Sequence, residues 1–188
     1  MKCIAIFASG KGSNAERIIE HFAGHQEIKI QLIVSNKPEA GVIDIARSHN
    51  IPFLIIEKEK FFRGNHYVEE LKDWKIDFIV LAGFLWKVPA GLISAYRGKI
   101  VNIHPALLPS YGGKGMYGAI VHQAVVDAKE KESGITIHFV DEHYDHGDVI
   151  FQARCKISEG ETASSLAEKI HQLEHKHYPE IIEQLARS

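Results

Sequence analysis

Hydrophobic residues along this chain group in two ways: short runs dense in isoleucine, valine and phenylalanine, and longer stretches in which apolar residues recur three and four positions apart. The first pattern predicts strands and the second predicts helices. Strands fall at residues 2–8, 28–34, 53–56, 77–82 and 99–102, and helices at 14–22, 40–49, 67–74 and 89–96, the last opening on Pro89. Strands that alternate with helices pair in parallel, because each helix is the crossover that returns the chain to the same edge of the sheet. The pattern changes after Pro109. A glycine-rich stretch at 111–118, read as a mobile loop, leads to a helix at 118–128, strands at 134–140 and 149–156, and a last helix at 163–185. Only a short polar segment joins those two strands, so they are expected to be antiparallel in part. The expected fold is α/β: a mostly parallel, Rossmann-like sheet flanked by helices, with an antiparallel strand towards the C-terminal half.

Composition narrows the class. The 188 residues, 45% of them hydrophobic and with a formal net charge of −2, suit a single domain covering 1–188 with a substantial core. A near-balanced charge gives no sign of a nucleic-acid surface, and no apolar run approaches the length of a membrane span. Residues 1–7 carry one lysine and an apolar run but lack the length and cleavage pattern of a signal peptide, so the expected location is cytoplasmic. Cys3 and Cys155 both sit in strand-like segments and read as buried thiols, not as a disulfide, a nucleophile or metal ligands.

Candidate chemistry concentrates in three places. Asn102 and His104 lie two residues apart where a predicted strand runs up to Pro105, so their side chains project from one face. An amide donor beside an imidazole suits reactions at a carbonyl, in which an oxyanion forms and a proton moves. The second place is the turn Gly10-Lys11-Gly12-Ser13-Asn14 between the first strand and the first helix. Its glycines let the backbone approach a ligand, and the N–H groups opening the helix make an anion site, so phosphate is the natural guest. An ATPase-type phosphate loop is excluded, because Ala5 stands where that loop needs glycine. Gly10-x-Gly12-x-x-Ala15 matches a dinucleotide fingerprint, but the second strand ends in Ser35-Asn36-Lys37 without an acid for a ribose hydroxyl. That weakens NAD and leaves an NADP-binding oxidoreductase as one alternative, a non-catalytic nucleotide-binding protein as another, and a turn built for packing alone as the plainest.

The third place is residues 141–148, dense in aspartate, glutamate and histidine. Counted from Asp141, its sixth and twelfth positions hold His146 and Gln152, so it fails as a calcium loop. No spacing in it is diagnostic of a transition metal, and a solvated turn between strands is the simplest reading. The functional alternative is that one carboxylate, placed by Gly147, reaches His104 and raises its pKa.

Five stretches in order, Ser9-Gly10-Lys11-Gly12-Ser13-Asn14, Leu81-Ala82-Gly83-Phe84, Asn102-Ile103-His104-Pro105 with Leu107-Leu108-Pro109, Asp145-x-Gly147, and Glu174-His175, resemble the phosphoribosylglycinamide formyltransferase family of purine synthesis. The resemblance runs nearly end to end. It implies transfer of a formyl group from the co-substrate 10-formyltetrahydrofolate to the amine of glycinamide ribonucleotide, with no metal. It implies catalytic roles for Asn102, His104 and Asp145, and ribonucleotide binding by Gly10, Lys11, Gly12, Ser13, Asn14 and Glu174. It also implies a folate pocket of Phe84, Leu85, Trp86, Val88, Asn102, Val140 and Asp141, although the family often has arginine at the Trp86 position. On this reading residues 1–100 or so bind the phosphate and ribonucleotide, and residues 101–188 carry catalysis and folate binding. The partners are then two small molecules, with neither nucleic acid nor membrane, and the assembly is a monomer or homodimer. Two relatives share the transfer domain: methionyl-tRNA formyltransferase, which adds a C-terminal tRNA-binding domain, and formyltetrahydrofolate hydrolase, which adds an N-terminal regulatory one. The chain is expected to have neither addition, which leaves a hydrolase-like enzyme as the other formyl-folate reading.

Overall fold

The computed structural model describes residues 1–187. Five strands, β1 (Lys2–Phe7), β2 (Ile28–Ser35), β3 (Phe53–Ile55), β4 (Phe78–Leu81) and β5 (Ile100–His104), pair in parallel. Two more, β6 (Glu132–Phe139) and β7 (Val149–Lys156), extend the same sheet antiparallel, in the order β3-β2-β1-β4-β5-β6-β7. The helices are α1 (Ser13–His21), α2 (Gly41–Ser48), α3 (Lys58–Phe62), α4 (His66–Asp73), α5 (Ala90–Ala95), α6 (Ala119–Asp127) and α7 (Ala163–Arg187). The predicted α/β architecture therefore holds. Two differences matter: α3 is too short to leave a periodic signal, and β5 runs two residues further than predicted, so His104 is itself a strand residue.

Both faces of the sheet are covered, which is why its parallel strands read as unbroken apolar runs. In β1, Ile4 and Ile6 enter a core layer shared with α1, α2, α6 and α7, while Ala5 and Phe7 enter one shared with α3, α4 and α5. Strand β2 changes phase part-way. Its register against β1 jumps from Ile30 to Leu32, leaving Gln31 as a bulge. Ile28, Ile30 and Ile33 consequently face one layer, while Leu32 and Val34 face the other.

Helix α7 buries Leu166, Ile170, Glu174, Tyr178, Ile182 and Ala186 at a spacing of four, with Pro179 beside Tyr178. Each step of four overshoots a full turn by about 40°, so the buried stripe winds around the helix as α7 packs on β6, β7, α6 and α1. Tyr178 is fully buried, and burial pushes its phenol pKa well above the usual value. Its hydroxyl donates to the Leu81 carbonyl at 2.9 Å, with the Val101 carbonyl at 3.3 Å, fastening the helix to β4 and β5. Removing that hydroxyl in Tyr178→Phe is expected to lower stability by about 1–2 kcal/mol; urea denaturation of the two proteins checks it.

Candidate active site

A parallel sheet gathers the carboxyl ends of its strands along one edge, where ligands bind. Ser9 ties that edge together. Its N–H donates to the Gly83 carbonyl (3.1 Å), its hydroxyl donates to Asn36 Oδ1 (2.6 Å), and the same hydroxyl accepts from the Leu85 N–H (2.9 Å). The segments that follow β1, β2 and β4 are thus held as one unit.

The adjoining strand β5 carries Asn102 and His104. The β5–β6 register sets Asn102 opposite His138 and His104 opposite Thr136. His138 Nδ1 lies 2.8 Å from its neighbour's carbonyl at Phe139, to which it donates, while its Nε2 meets Asn102 Nδ2 at 3.1 Å and lies 3.7 Å from Asp145 Oδ1. One N–H of the Asn102 amide is thereby used in orienting it, and the other is available to a ligand oxygen. His104, 3% exposed, donates from Nε2 to the Tyr111 carbonyl at 2.8 Å. Its Nδ1 lies 3.6 Å from Asp145 Oδ2. That nitrogen is the one position on the neutral ring able to take a proton.

Asp145 comes from the turn between β6 and β7 and sits at φ 53°, a left-handed conformation that aspartate tolerates better than most residues. Two close approaches position it. A Cβ on Gly147 would strike the Phe139 carbonyl, and one on Gly112 would come within 2.5 Å of Leu108 Cδ2 and 3.3 Å of Asp145 Cβ. With Gly112 bare, the Gly113 N–H reaches Asp145 Oδ2 at 2.9 Å. Burial pushes the Asp145 carboxyl pKa up, but the His138 ring, the charge His104 carries in the acid range where Asp145 titrates, and the Gly113 N–H outweigh it and hold the group below its ordinary value.

The expected rise in the His104 pKa does not occur. Burial is the largest influence and lowers it, and the Asp145 charge and the Tyr111 carbonyl recover only part of that loss. His104 therefore rests neutral near pH 7. The 111–118 loop, read from its glycines as mobile, is fastened at both members of this pair, through the Tyr111 carbonyl and the Gly113 N–H, and through the Tyr111 hydroxyl, which donates to Glu130 at 2.7 Å.

The turn after β1 opens directly into α1, whose first N–H groups receive no side-chain cap; an uncapped helix start favours an anion. Gly12 is at φ 85°, and a Cβ there would come within 2.8 Å of Val42 Cβ and 2.9 Å of Ile45 Cδ1, so packing on α2 demands this glycine in its own right. Lys11 and Ser13 are exposed beside it. Asn14 Nδ2 donates to Glu174 Oε2 at 2.9 Å, joining two residues 160 positions apart in sequence. His171 Nδ1 shares that oxygen at 3.0 Å, and the bond raises the His171 pKa. Asn14 Oδ1 and His122 Nδ1 are buried nearby in the sequence-distant elements α1 and α6 with no partner, and burial lowers the His122 pKa.

Of the residues assigned to a folate pocket, Phe84 packs edge-on against Phe7 (5.3 Å between ring centroids) and Phe61 (5.8 Å), and Trp86 lies against Phe61 and Phe62. Leu85 is exposed, whereas Val88 is a core residue. Val140, whose N–H donates to the Ile100 carbonyl at 3.0 Å, and the half-buried Asp141 follow β6. Ser35 is fully buried and its hydroxyl donates to the Lys37 carbonyl within its own turn, which withdraws it from any nucleotide 2′-phosphate. Cys3 and Cys155 are free and only partly buried, on strands separated by β4, β5 and β6. His138, Thr136, Asn36 and the Tyr111 carbonyl were not foreseen. For His138 and Thr136 a signal existed: two polar residues at alternate positions of an otherwise apolar strand.

The profile of the formyl transferase family matches residues 2–182. The chain belongs to that family. It is 37% identical over 190 residues to phosphoribosylglycinamide formyltransferase of Bacillus subtilis, a match covering 98% of this chain and 95% of that protein. It is 40% identical to the chloroplastic phosphoribosylglycinamide formyltransferase of Arabidopsis thaliana, a match covering 96% of this chain and 64% of that longer protein. The crystal structure of phosphoribosylglycinamide formyltransferase from Bacillus halodurans superposes with a TM-score of 0.87 at 38% identity, covering 98% of this chain and 95% of that one.

Within this family member, two glycines of one turn behave differently. Gly12→Ala, strained in φ and overpacked against α2, is expected to cost about 2 kcal/mol or more. A Cβ on Gly10 meets nothing within 4 Å, so Gly10→Ala should stay within about 0.5 kcal/mol of the parent. Thermal and urea denaturation of the pair provide the check.

Proposed function

We propose that the chain transfers a formyl group from 10-formyltetrahydrofolate to the amine of glycinamide ribonucleotide, a step of purine biosynthesis. The observation that carries this reading is the convergence of Asn102, His104 and Asp145 at the end of β5, with His104 Nδ1 3.6 Å from Asp145 Oδ2. The end-to-end likeness to phosphoribosylglycinamide formyltransferases supports the choice of substrates. A cytoplasmic location fits the free cysteines, and among the described residues no helix is long and apolar enough to cross a membrane.

The amine nitrogen attacks the formyl carbon, and the carbonyl oxygen becomes an oxyanion that accepts the free N–H of Asn102. Neutral His104 takes the amine proton on Nδ1. The resulting imidazolium faces the Asp145 carboxylate, which is ionised before the step begins and so stabilises the charge as it forms. His104 then returns the proton to the folate nitrogen as its bond to the formyl carbon breaks, releasing formylated ribonucleotide and tetrahydrofolate. The open start of α1 with Gly10, Lys11, Gly12 and Ser13 receives the ribonucleotide phosphate, and Glu174, held by Asn14 and His171, faces the glycinamide portion. Phe84, Leu85, Trp86, Val140 and Asp141 supply the folate side, with Val88 supporting them from the core.

Mixing the protein with both substrates and following deformylation of the folate, with and without the amine, tests the assignment. Loss of the formyl group only when the ribonucleotide is present is expected; equal loss without it identifies a hydrolase instead. His104→Ala should slow transfer by about a hundredfold to ten-thousandfold, and Asn102→Ala by about a hundredfold or more, in folded proteins.

The pH profile follows from the same geometry. The base is active when neutral and its pKa lies below the ordinary 6.5, so the rate should fall on the acid side with a midpoint beneath that value. Asp145→Asn removes an influence that raises the His104 pKa, so the acid limb should move to still lower pH while the maximal rate drops. A limb that moves to higher pH overturns the assigned coupling.

A further inference from the structure

The turn that delivers Asp145 inward leaves a second set of side chains at the surface. Asp141 Oδ2 lies 3.2 Å from His146 Nδ1, and Asp141 Oδ1 lies 3.9 Å from His143 Nδ1. The two imidazoles tilt towards one another with centroids 5.4 Å apart, and one ligand atom from each of the three residues lies within 4.8 Å of the others. The His143 backbone N–H donates to Asp141 Oδ1 at 2.7 Å, so the carboxylate is already aimed. Neighbouring charges do not compete for the cluster: Glu142 pairs with Arg97 at 3.7 Å, and Lys87 lies over the Tyr144 ring at 5.8 Å.

We propose that Asp141, His143 and His146 form a binding site for one divalent transition-metal ion at the surface of this turn, apart from Asn102, His104 and Asp145 but sharing Asp141 with the proposed folate side. Two imidazole nitrogens and one carboxylate suit zinc, nickel or copper better than magnesium or calcium, which prefer all-oxygen sites. Ligands about 2.1 Å from a tetrahedral ion lie about 3.4 Å from each other. The present separations bracket that figure, and both histidine side chains are 75% exposed, free to turn the remaining distance. Metal replaces the proton that bridges His146 and Asp141, and water completes the coordination. The three ligands span residues 141–146, so a bound ion clamps the stretch containing Asp145.

Equilibrium dialysis of the intact protein against zinc alone tests this, and because it reads retained metal it stands or falls independently of formyl transfer. Retention of one zinc per chain is expected, unaffected by excess magnesium. His143→Ala and His146→Ala should each weaken it roughly tenfold or more, while His25→Ala, at a different histidine–glutamate cluster, should not. Cobalt substitution gives a second reading: visible absorption from an imidazole–carboxylate site in the parent, lost in the double variant. No retained zinc in the parent, or equal retention in the double variant, overturns the site.

Discussion

The pairing of β5 with β6 is the constraint on which the site depends. Everything before it is parallel; at β5 the sheet turns antiparallel, and the register of that one ladder decides what Asn102 and His104 meet. A slip of one residue would turn both side chains to the opposite face and bury them among α1, α6 and α7. The ladder is secured next to Asn102 and His104 by Thr136, opposite His104, whose hydroxyl donates to the Ala106 carbonyl and accepts from the Leu108 N–H and Gln152 Nε2. The chain leaving β5 is therefore anchored to β6 and β7 within a few residues of His104.

Two buried ionisable assemblies sit in this frame, and each balances burial by a different means. Around Asp145, several weak favourable influences together exceed a large unfavourable one, so the acid stays charged while the histidine beside it stays neutral. Around Glu174 the balance is struck by direct contact. A carboxylate in the middle of the apolar stripe of α7 would be costly alone, and the Asn14 amide and His171 ring both bond one of its oxygens. The same contacts connect the turn after β1 with the last helix.

The fold was legible because both faces of the sheet are buried, which leaves strong apolar runs separated by helical periods. Asn102 and His104 were legible because their spacing to Pro105 is local, whereas Asp145 was singled out among the acids of 141–148 only through likeness to a known family. Glu174 stood out only through likeness to a known family, although its place in a spacing-of-four apolar stripe is a local anomaly that periodicity alone reveals. What the sequence concealed depends on long-range register or on burial. The partner of Asn102 is fixed by a ladder 36 residues away, and the sign of the His104 shift rests on how deeply it is enclosed, which no neighbouring residue states. Gly12 carries a further lesson: its close approach to Val42 is made between a turn and a helix that sequence places 30 positions apart, so a glycine suited to phosphate is also one required for packing.

The bond from His104 to the Tyr111 carbonyl makes the protonation of a side chain depend on the course of the backbone. The tautomer of the histidine is selected by a main-chain oxygen, so residue 111 acts on it through the position of its backbone, which the Tyr111 hydroxyl helps to fix by its bond to Glu130. What must survive is the path of the chain, and that path requires Gly112 to remain small. That path also passes through left-handed turns at Tyr111, Gly113 and Gly115, so a side chain enlarged at position 112 disturbs the protonation pattern of His104 without touching the ring.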